Sequence, residues 1–319
     1  MKKVLQITII IISAVLFYSC EEDFNPGTDF REKYILNCII RGDTAYHIAT
    51  IKKNYKGEIF NPYADKEIDD VKNAYIRIWY DDKVYTFRDT MIAREDTSRY
   101  TEPVYYYYSK DFIPESGKLL ELRAELPNNK VLSGTTITPS EIQRDITTGV
   151  LLPNGDNEYS SVGWISKDER LYYAANFKFY YKKYVGGGRY QFEKKVPLDY
   201  KIVDGKEVPV YSLIFKAPKV IIRNSILDEM MKEISANDFR KKDYTIMGGV
   251  FEIMILDENL STYYSSTHDF SDGFSINVDE SDFTNITGGY GIFGSTIKRK
   301  VFVGFNKDYI TSFGYETLQ

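Results

Sequence analysis

Tyr75-Ile76-Arg77-Ile78-Trp79-Tyr80, closed by Asp81-Asp82, is the stretch from which the fold is read. An extended chain turns successive side chains to opposite faces, so Ile76, Ile78 and Tyr80 share one face while Tyr75, Arg77 and Trp79 share the other. Branched and aromatic residues of this kind fit a pleated, half-buried surface. The two aspartates then end the run with turn chemistry. Runs of the same kind lie on both sides, at Tyr34–Ile40, Tyr46–Ile51, Ala74–Tyr80, Lys83–Phe87, Val104–Ser109, Leu119–Leu126 and Val131–Thr138. Arg41-Gly42-Asp43, Asp81-Asp82 and Pro127-Asn128-Asn129 supply turns between consecutive runs. Seven short strands in about a hundred residues predict an immunoglobulin-like β-sandwich over residues 32–139.

Pro139 and the polar stretch to about Asn157 mark a change of texture. Residues 140–319 predict a second, antiparallel β-rich domain with one or two short helices. Tyr172–Val185 and Arg189–Val203 flank Gly186-Gly187-Gly188, which reads as a hairpin turn. Val208–Phe215, Lys219–Ile222, Phe251–Leu256 and Gly291–Phe305 continue the strand pattern. Ser225 is the expected cap of a helix over Ile226–Ser235, whose Leu227, Met230, Met231 and Ile234 fall at helical spacing. Glu258–Ser265 is the second candidate helix. The whole class is therefore mainly β.

Composition agrees with a globular chain, at 43% hydrophobic and 27% charged residues. The formal net charge of −5 argues against a nucleic-acid partner. Tyrosine is unusually frequent, 28 against 19 Phe and 2 Trp. A ring with a polar tip suits a half-wet sheet face, and that explains most of them.

The chain begins with Met1-Lys2-Lys3, a mostly apolar run from Val4 to Phe17, and Ser19-Cys20. A charged start, a short apolar stretch and a small residue before the cut make residues 1–19 an expected signal peptide. Residues 20–31 then read as an acidic tether, opening Cys20-Glu21-Glu22-Asp23 and containing Asn25-Pro26-Gly27. Such a tether spans up to about 35 Å. Only Cys20 and Cys38 exist, so with Cys20 acylated no disulfide is left to the mature chain. Cys38, inside Tyr34–Ile40, reads as a small buried strand residue.

Motifs for chemistry are sparse. Gly289-x-Gly291-x-x-Gly294 matches a dinucleotide fingerprint in letters, yet Thr296–Val303 after it reads as a strand where the motif needs a helix. The glycines are expected to serve close backbone approach, without nucleotide. Arg41-Gly42-Asp43 is expected to be a turn before an adhesive tripeptide. His47 and His268 lie in separate regions and build no ligand set, so no metal is expected. The acidic loops Asp65–Asp70 and Asp279–Asp282 lack calcium-loop spacing. No nucleophile elbow, zinc-protease motif or P-loop occurs, so neither a catalytic set nor a cofactor is expected. Tyr105-Tyr106-Tyr107-Tyr108 is the sharpest binding candidate: alternate rings turn two to the core and two to solvent.

Three features carry a family resemblance. Ser19-Cys20 resembles the lipobox of a bacterial lipoprotein, with Phe17 and Tyr18 bulkier than usual there, and Glu21-Glu22-Asp23 resembles the surface-export signal of Bacteroidota lipoproteins. Lys33–Ile40, Val71–Ile78 and Lys118–Pro139 resemble strands of the lipoproteins that carry domain of unknown function 4249. Asn285-Ile286-Thr287-Gly288-Gly289-Tyr290-Gly291-Ile292-Phe293-Gly294 is similar to that family's glycine-rich segment near the C-terminus. Asp43-Thr44-Ala45 and Asp89-Thr90-Met91 resemble Bacteroidota O-glycosylation sequons. The resemblance implies an outer-membrane lipoprotein, facing the cell surface, whose genes often neighbour TonB-dependent transporters. It supplies no catalytic residues. The expectation is a lipid-anchored binding protein beside such a transporter, with an adhesive lipoprotein as the alternative and a hydrolase third.

Overall fold

The computed structural model of the chain describes residues 32–53, 70–97, 102–140, 142, 149–154, 158–166, 168–236, 238–266 and 283–318. Cys20, Glu21, Glu22, Asp23, His268 and the acidic run 279–282 lie outside the described residues, as do residues 65–69 of the other acidic loop.

Eight strands open the fold: β1 (Tyr34–Arg41), β2 (His47–Lys53), β3 (Tyr75–Tyr80), β4 (Lys83–Thr86), β5 (Arg88–Ile92), β6 (Val104–Ser109), β7 (Leu119–Glu125) and β8 (Val131–Ile137). One sheet contains the order β1-β2-β6-β5 and the facing sheet β4-β3-β7-β8. This is the strand order of an immunoglobulin-type sandwich with one additional strand beside the third. The alternation read from Tyr75–Tyr80 holds: Ile76, Ile78 and Tyr80 are buried, while Tyr75, Arg77 and Trp79 look outward. Leu36, Cys38 and Ile40 of β1, Ile51 of β2 and Leu120 and Leu122 of β7 meet them in a core between the sheets. The strand β5 follows β4 with no turn residue. The chain changes sheet at Phe87, which is buried and donates its N–H to the Ile76 carbonyl at 2.9 Å.

The remaining strands are β9 (Val150–Leu152), β10 (Tyr159–Gly163), β11 (Tyr173–Val185), β12 (Gly188–Val196), β13 (Asp199–Val203), β14 (Lys206–Val210), β15 (Ser212–Phe215), β16 (Lys219–Arg223), β17 (Tyr244–Leu256), β18 (Tyr290–Phe305) and β19 (Glu316–Thr317). Helices α1 (Asn224–Ser235), α2 (Glu258–Ser266) and α3 (Lys307–Ser312) interleave with them. The chain is thus mainly β with few, short helices. The hairpin expected at Gly186-Gly187 joins β11 to β12, with both glycines at positive φ as a tight primed turn requires. The helix over 226–235 forms one residue earlier than its expected cap. Arg223 sits at the N-cap without a side-chain bond, which leaves Ser225 in the first turn. Its apolar stripe, Ile226, Leu227, Met230, Met231 and Ile234, packs in one core with Phe177 and Phe179 of β11 and Phe251 and Ile253 of β17.

The longest strand ties the regions together. β18 pairs in parallel with β1 from Ile35↔Tyr290 to Arg41↔Thr296. It pairs antiparallel with β17 from Leu256↔Thr296 to Gly249↔Val303. The sheet order therefore runs β12-β11-β17-β18-β1-β2-β6-β5 without a break. Odd-numbered residues of β18 serve two cores in series: Phe293 enters the sandwich core, and Val301, Val303 and Phe305 enter the core under α1. On the opposite face, α2 lays Leu260, Tyr263 and Tyr264 over Ile292 and Leu256.

Candidate functional site

The four tyrosines of β6 divide as a strand requires. Tyr105 and Tyr107 are buried, and Tyr106 and Tyr108 are half-exposed. The buried pair is structural. Tyr107 donates its hydroxyl to the Val71 carbonyl at 2.6 Å and accepts from the Ala74 N–H at 2.9 Å, which ties β6 to the entry of β3. Tyr105 donates to Asp89 at 2.6 Å and stands edge-on to Tyr107 with ring centroids 5.5 Å apart.

The outward pair gains a third ring. Tyr46 stacks on Tyr108 at 5.6 Å between centroids and 23° between planes, and its hydroxyl lies 3.1 Å from that of Tyr106. The hydrogen bond with Tyr106, then burial, pushes the Tyr46 hydroxyl up to about 12. Cross-strand pairing sets the exposed Ile48 beside Tyr108. On the far side of Tyr108 lies Arg88, paired with Asp111 at 3.3 Å. The result is an aromatic patch on a sheet face, pre-arranged by stacking. Sequence reasoning found Tyr106 and Tyr108 but not Tyr46, whose partnership depends on strand pairing rather than on any local pattern.

The glycine segment is a packing device. A Cβ on Gly291 would lie 2.1 Å from the Leu36 carbonyl oxygen, one on Gly289 2.6 Å from the Tyr34 oxygen, and one on Gly288 2.3 Å from the Val131 oxygen. Gly294 leaves room for Leu260 of α2. Between them, Phe293 gives its side chain to the sandwich core. The Phe293 N–H and carbonyl are both taken by the Asn285 side chain, at 2.8 and 2.6 Å. That amide stands in for a neighbouring strand where β17 no longer reaches. The glycines thus sit at the entry to and inside β18, with strand and not helix following them.

The reactive side chains are built into the scaffold. His47 is buried, places Nε2 2.9 Å from the Phe112 carbonyl and accepts the Arg41 N–H at Nδ1, 3.4 Å away. Burial holds its pKa below the usual imidazole value, against the pull of the Phe112 carbonyl. Burial pushes the Cys38 thiol up. Arg41 and Asp43 of the tripeptide are paired with each other through two contacts, at 3.0 and 2.9 Å. Glu252 is buried among Lys298, Lys178 and Lys300, which hold its carboxyl below the usual range although burial alone would raise it.

Among the described residues, Asp257 is the one buried carboxylate with an opposite shift. It caps α2 by accepting the Leu260 N–H at 2.8 Å, and it accepts the N–H and hydroxyl of Ser295 and the hydroxyl of Thr136. Burial outweighs these four donors and pushes it up to about 6. It joins α2, β18 and β8 at one point. Among the described residues, no three His, Cys, Asp or Glu side chains gather as a metal site. No described helix is long and apolar enough to cross a membrane. Compared with known proteins, the chain matches no family model and no curated relative.

Proposed function

We propose that this chain is a lipid-anchored binding protein of the outer membrane, acylated at Cys20, facing the cell surface and working beside a TonB-dependent transporter. The observation that carries the contact role is the stacked Tyr46, Tyr106 and Tyr108 patch on an outer sheet face. Rigid rings bury much area at little conformational cost, and interfaces favour them for that reason. The sequence Ser19-Cys20-Glu21-Glu22-Asp23 supports the acylation and the location together. A shared membrane raises the effective concentration of both partners, so modest direct affinity suffices. Neither described reactive side chain is poised for covalent chemistry, since backbone groups occupy both His47 nitrogens and Cys38 is sealed in the core.

Fatty-acid labelling tests the anchor: the wild type takes up label and Cys20→Ala does not, and an unlabelled wild type ends the lipoprotein reading. Crosslinking in mild detergent, followed by mass spectrometry, tests the partner. A transporter is expected to be enriched over an unrelated lipoprotein control, and Tyr106→Ala with Tyr108→Ala is expected to reduce that enrichment. The exposed Ile48 beside the rings also suits an adhesive lipoprotein. That reading takes over if the enriched partner is another surface protein.

A further inference from the structure

The geometry points to a second site, on the opposite sheet: we propose that the outer face of β4-β3-β7-β8 binds a neutral oligosaccharide in the groove beside Trp79. This inference does not depend on the transporter reading.

Pairing places Val84, Trp79, Glu121 and Thr135 in one row across the four strands. The next row is Thr86, Arg77, Arg123 and Ser133. Four strands give such a row a length of about 14 Å, at the usual spacing between neighbours. Residues 285–287 raise a wall along β8. Ser133 and Thr287 exchange two backbone hydrogen bonds, of 3.0 and 2.7 Å, and Asn285 is fixed to Phe293 behind them. Between this wall and Trp79 lies an open groove of about 440 Å³, floored by Glu121, Arg123, Ser133 and Thr135. That volume is within the range of small-molecule sites.

The chemistry of the lining selects the ligand. The Arg77 guanidinium lies 4.7 Å from the Tyr75 ring and 5.1 Å from the Trp79 ring, and bonds Glu125 at 2.6 Å. Trp79 is thereby braced on the sheet before any ligand arrives. Arg123 shares the same Glu125 oxygen at 3.1 Å. Two arginines and two glutamates leave the face with no net charge, so it offers neither an anion nor a cation a strong attraction. Glu121 is exposed and has no ion-pair partner among the described residues. The groove thus presents an indole, a free planar acceptor, a planar donor and two hydroxyl side chains. An uncharged ring with apolar C–H faces and equatorial hydroxyls uses all of these, and an oligosaccharide uses them along the row.

The chain has two tryptophans, and Trp164 is buried in the other core, so Trp79 emission reports the groove. The full chain, held in a detergent without a sugar headgroup, is titrated with maltohexaose, cellohexaose, xylohexaose and mannohexaose, and with hexagalacturonate as the charged comparison. At least one neutral hexasaccharide is expected to bind with a Kd of about 1 mM or tighter and to change Trp79 emission. By calorimetry, Trp79→Ala is expected to weaken that binding about tenfold or more. Glu121→Gln, an exposed position where folding is not at stake, is expected to weaken it severalfold at an unchanged melting temperature. Tyr106→Ala is expected to leave it intact, which separates this site from the transporter contact. The proposal is overturned if no neutral hexasaccharide binds, if hexagalacturonate binds best, or if binding survives Trp79→Ala and Glu121→Gln alike.

Discussion

At Gly291 the backbone of β18 runs so close to β1 that a methyl group has nowhere to go. The residue also sits at φ +107°, a conformation that side chains resist. Gly291→Ala is expected to cost about 3 kcal/mol or more, because strain and overlap with a carbonyl add. Urea unfolding should show a lower midpoint. A change under about 0.5 kcal/mol, the range of an ordinary surface substitution, would contradict the packing account. Two buried titratable groups give opposite dependences on pH. His47 has its folded pKa below the ordinary value, so its contribution is present above that ordinary value and is lost as pH falls through the folded one. Asp257, raised from 3.8 to about 6, contributes fully below 3.8 and loses that contribution as pH rises to about 6. Acidification from about pH 7 to about pH 5 therefore weakens the fold through His47 and strengthens it through Asp257. Denaturant unfolding across that window should show a smaller acid loss for His47→Gln and a larger one for Asp257→Asn than for the wild type. Parallel profiles for all three proteins would remove both groups from the account. Neither burial was legible in the sequence, since His47 and Asp257 owe it to strands far along the chain.

Elements with a clean period and a turn at each end could be read directly. β6 occupies the run Val104–Ser109 with unchanged ends, and β3 differs by one residue. The elements that escaped share a physical reason. Phe87 carries the chain between sheets in an extended form, so β5 has no turn signal before it. Gly248-Gly249 interrupts the apolar pattern of β17 and hides its first half, although Gly249 leaves the space that Phe177 fills. α3, with six residues, is too short to display a period. The tyrosine patch was half legible, because alternation is local, and the groove at Trp79 was not, because its rows exist only through pairing. Leu260 is the most buried of the residues that hold α2, and it fills the space above Gly294. Leu260→Ala is expected to cost about 2–5 kcal/mol through the cavity it opens. Hydrogen exchange should localise the first loss of protection to α2 and the adjoining part of β18. Uniform loss over the whole sheet would argue that α2 is no separate unit.

For the molecule as a whole, the sandwich of β1–β8 draws Ile286 and Phe293 into its core and seats β18 against the outer edge of β1. A fragment of residues 32–139 therefore lacks part of its core and exposes an unpaired strand edge, a recognised route to aggregation. It is expected to give a broad, weakly cooperative transition, whereas the same fragment supplemented with a peptide covering residues 283–305 should regain sharp unfolding. A fragment that unfolds cooperatively by itself, at the stability of the intact chain, would contradict this. The same arrangement acts on the order of events during biosynthesis. The Asn37 side chain accepts from the Ile292 N–H across 255 positions of sequence. The β18 partner of β1 does not exist until residues 290–296 have left the ribosome. Closing so long a loop is entropically costly and tends to come late in folding. For a chain with the leader proposed at residues 1–19, that delay is useful, because a polypeptide awaiting translocation must not lock shut beforehand. The position of β18 so far along the chain from β1 then works as a timer: a strand made well after the rest of the sandwich is the one that permits closure.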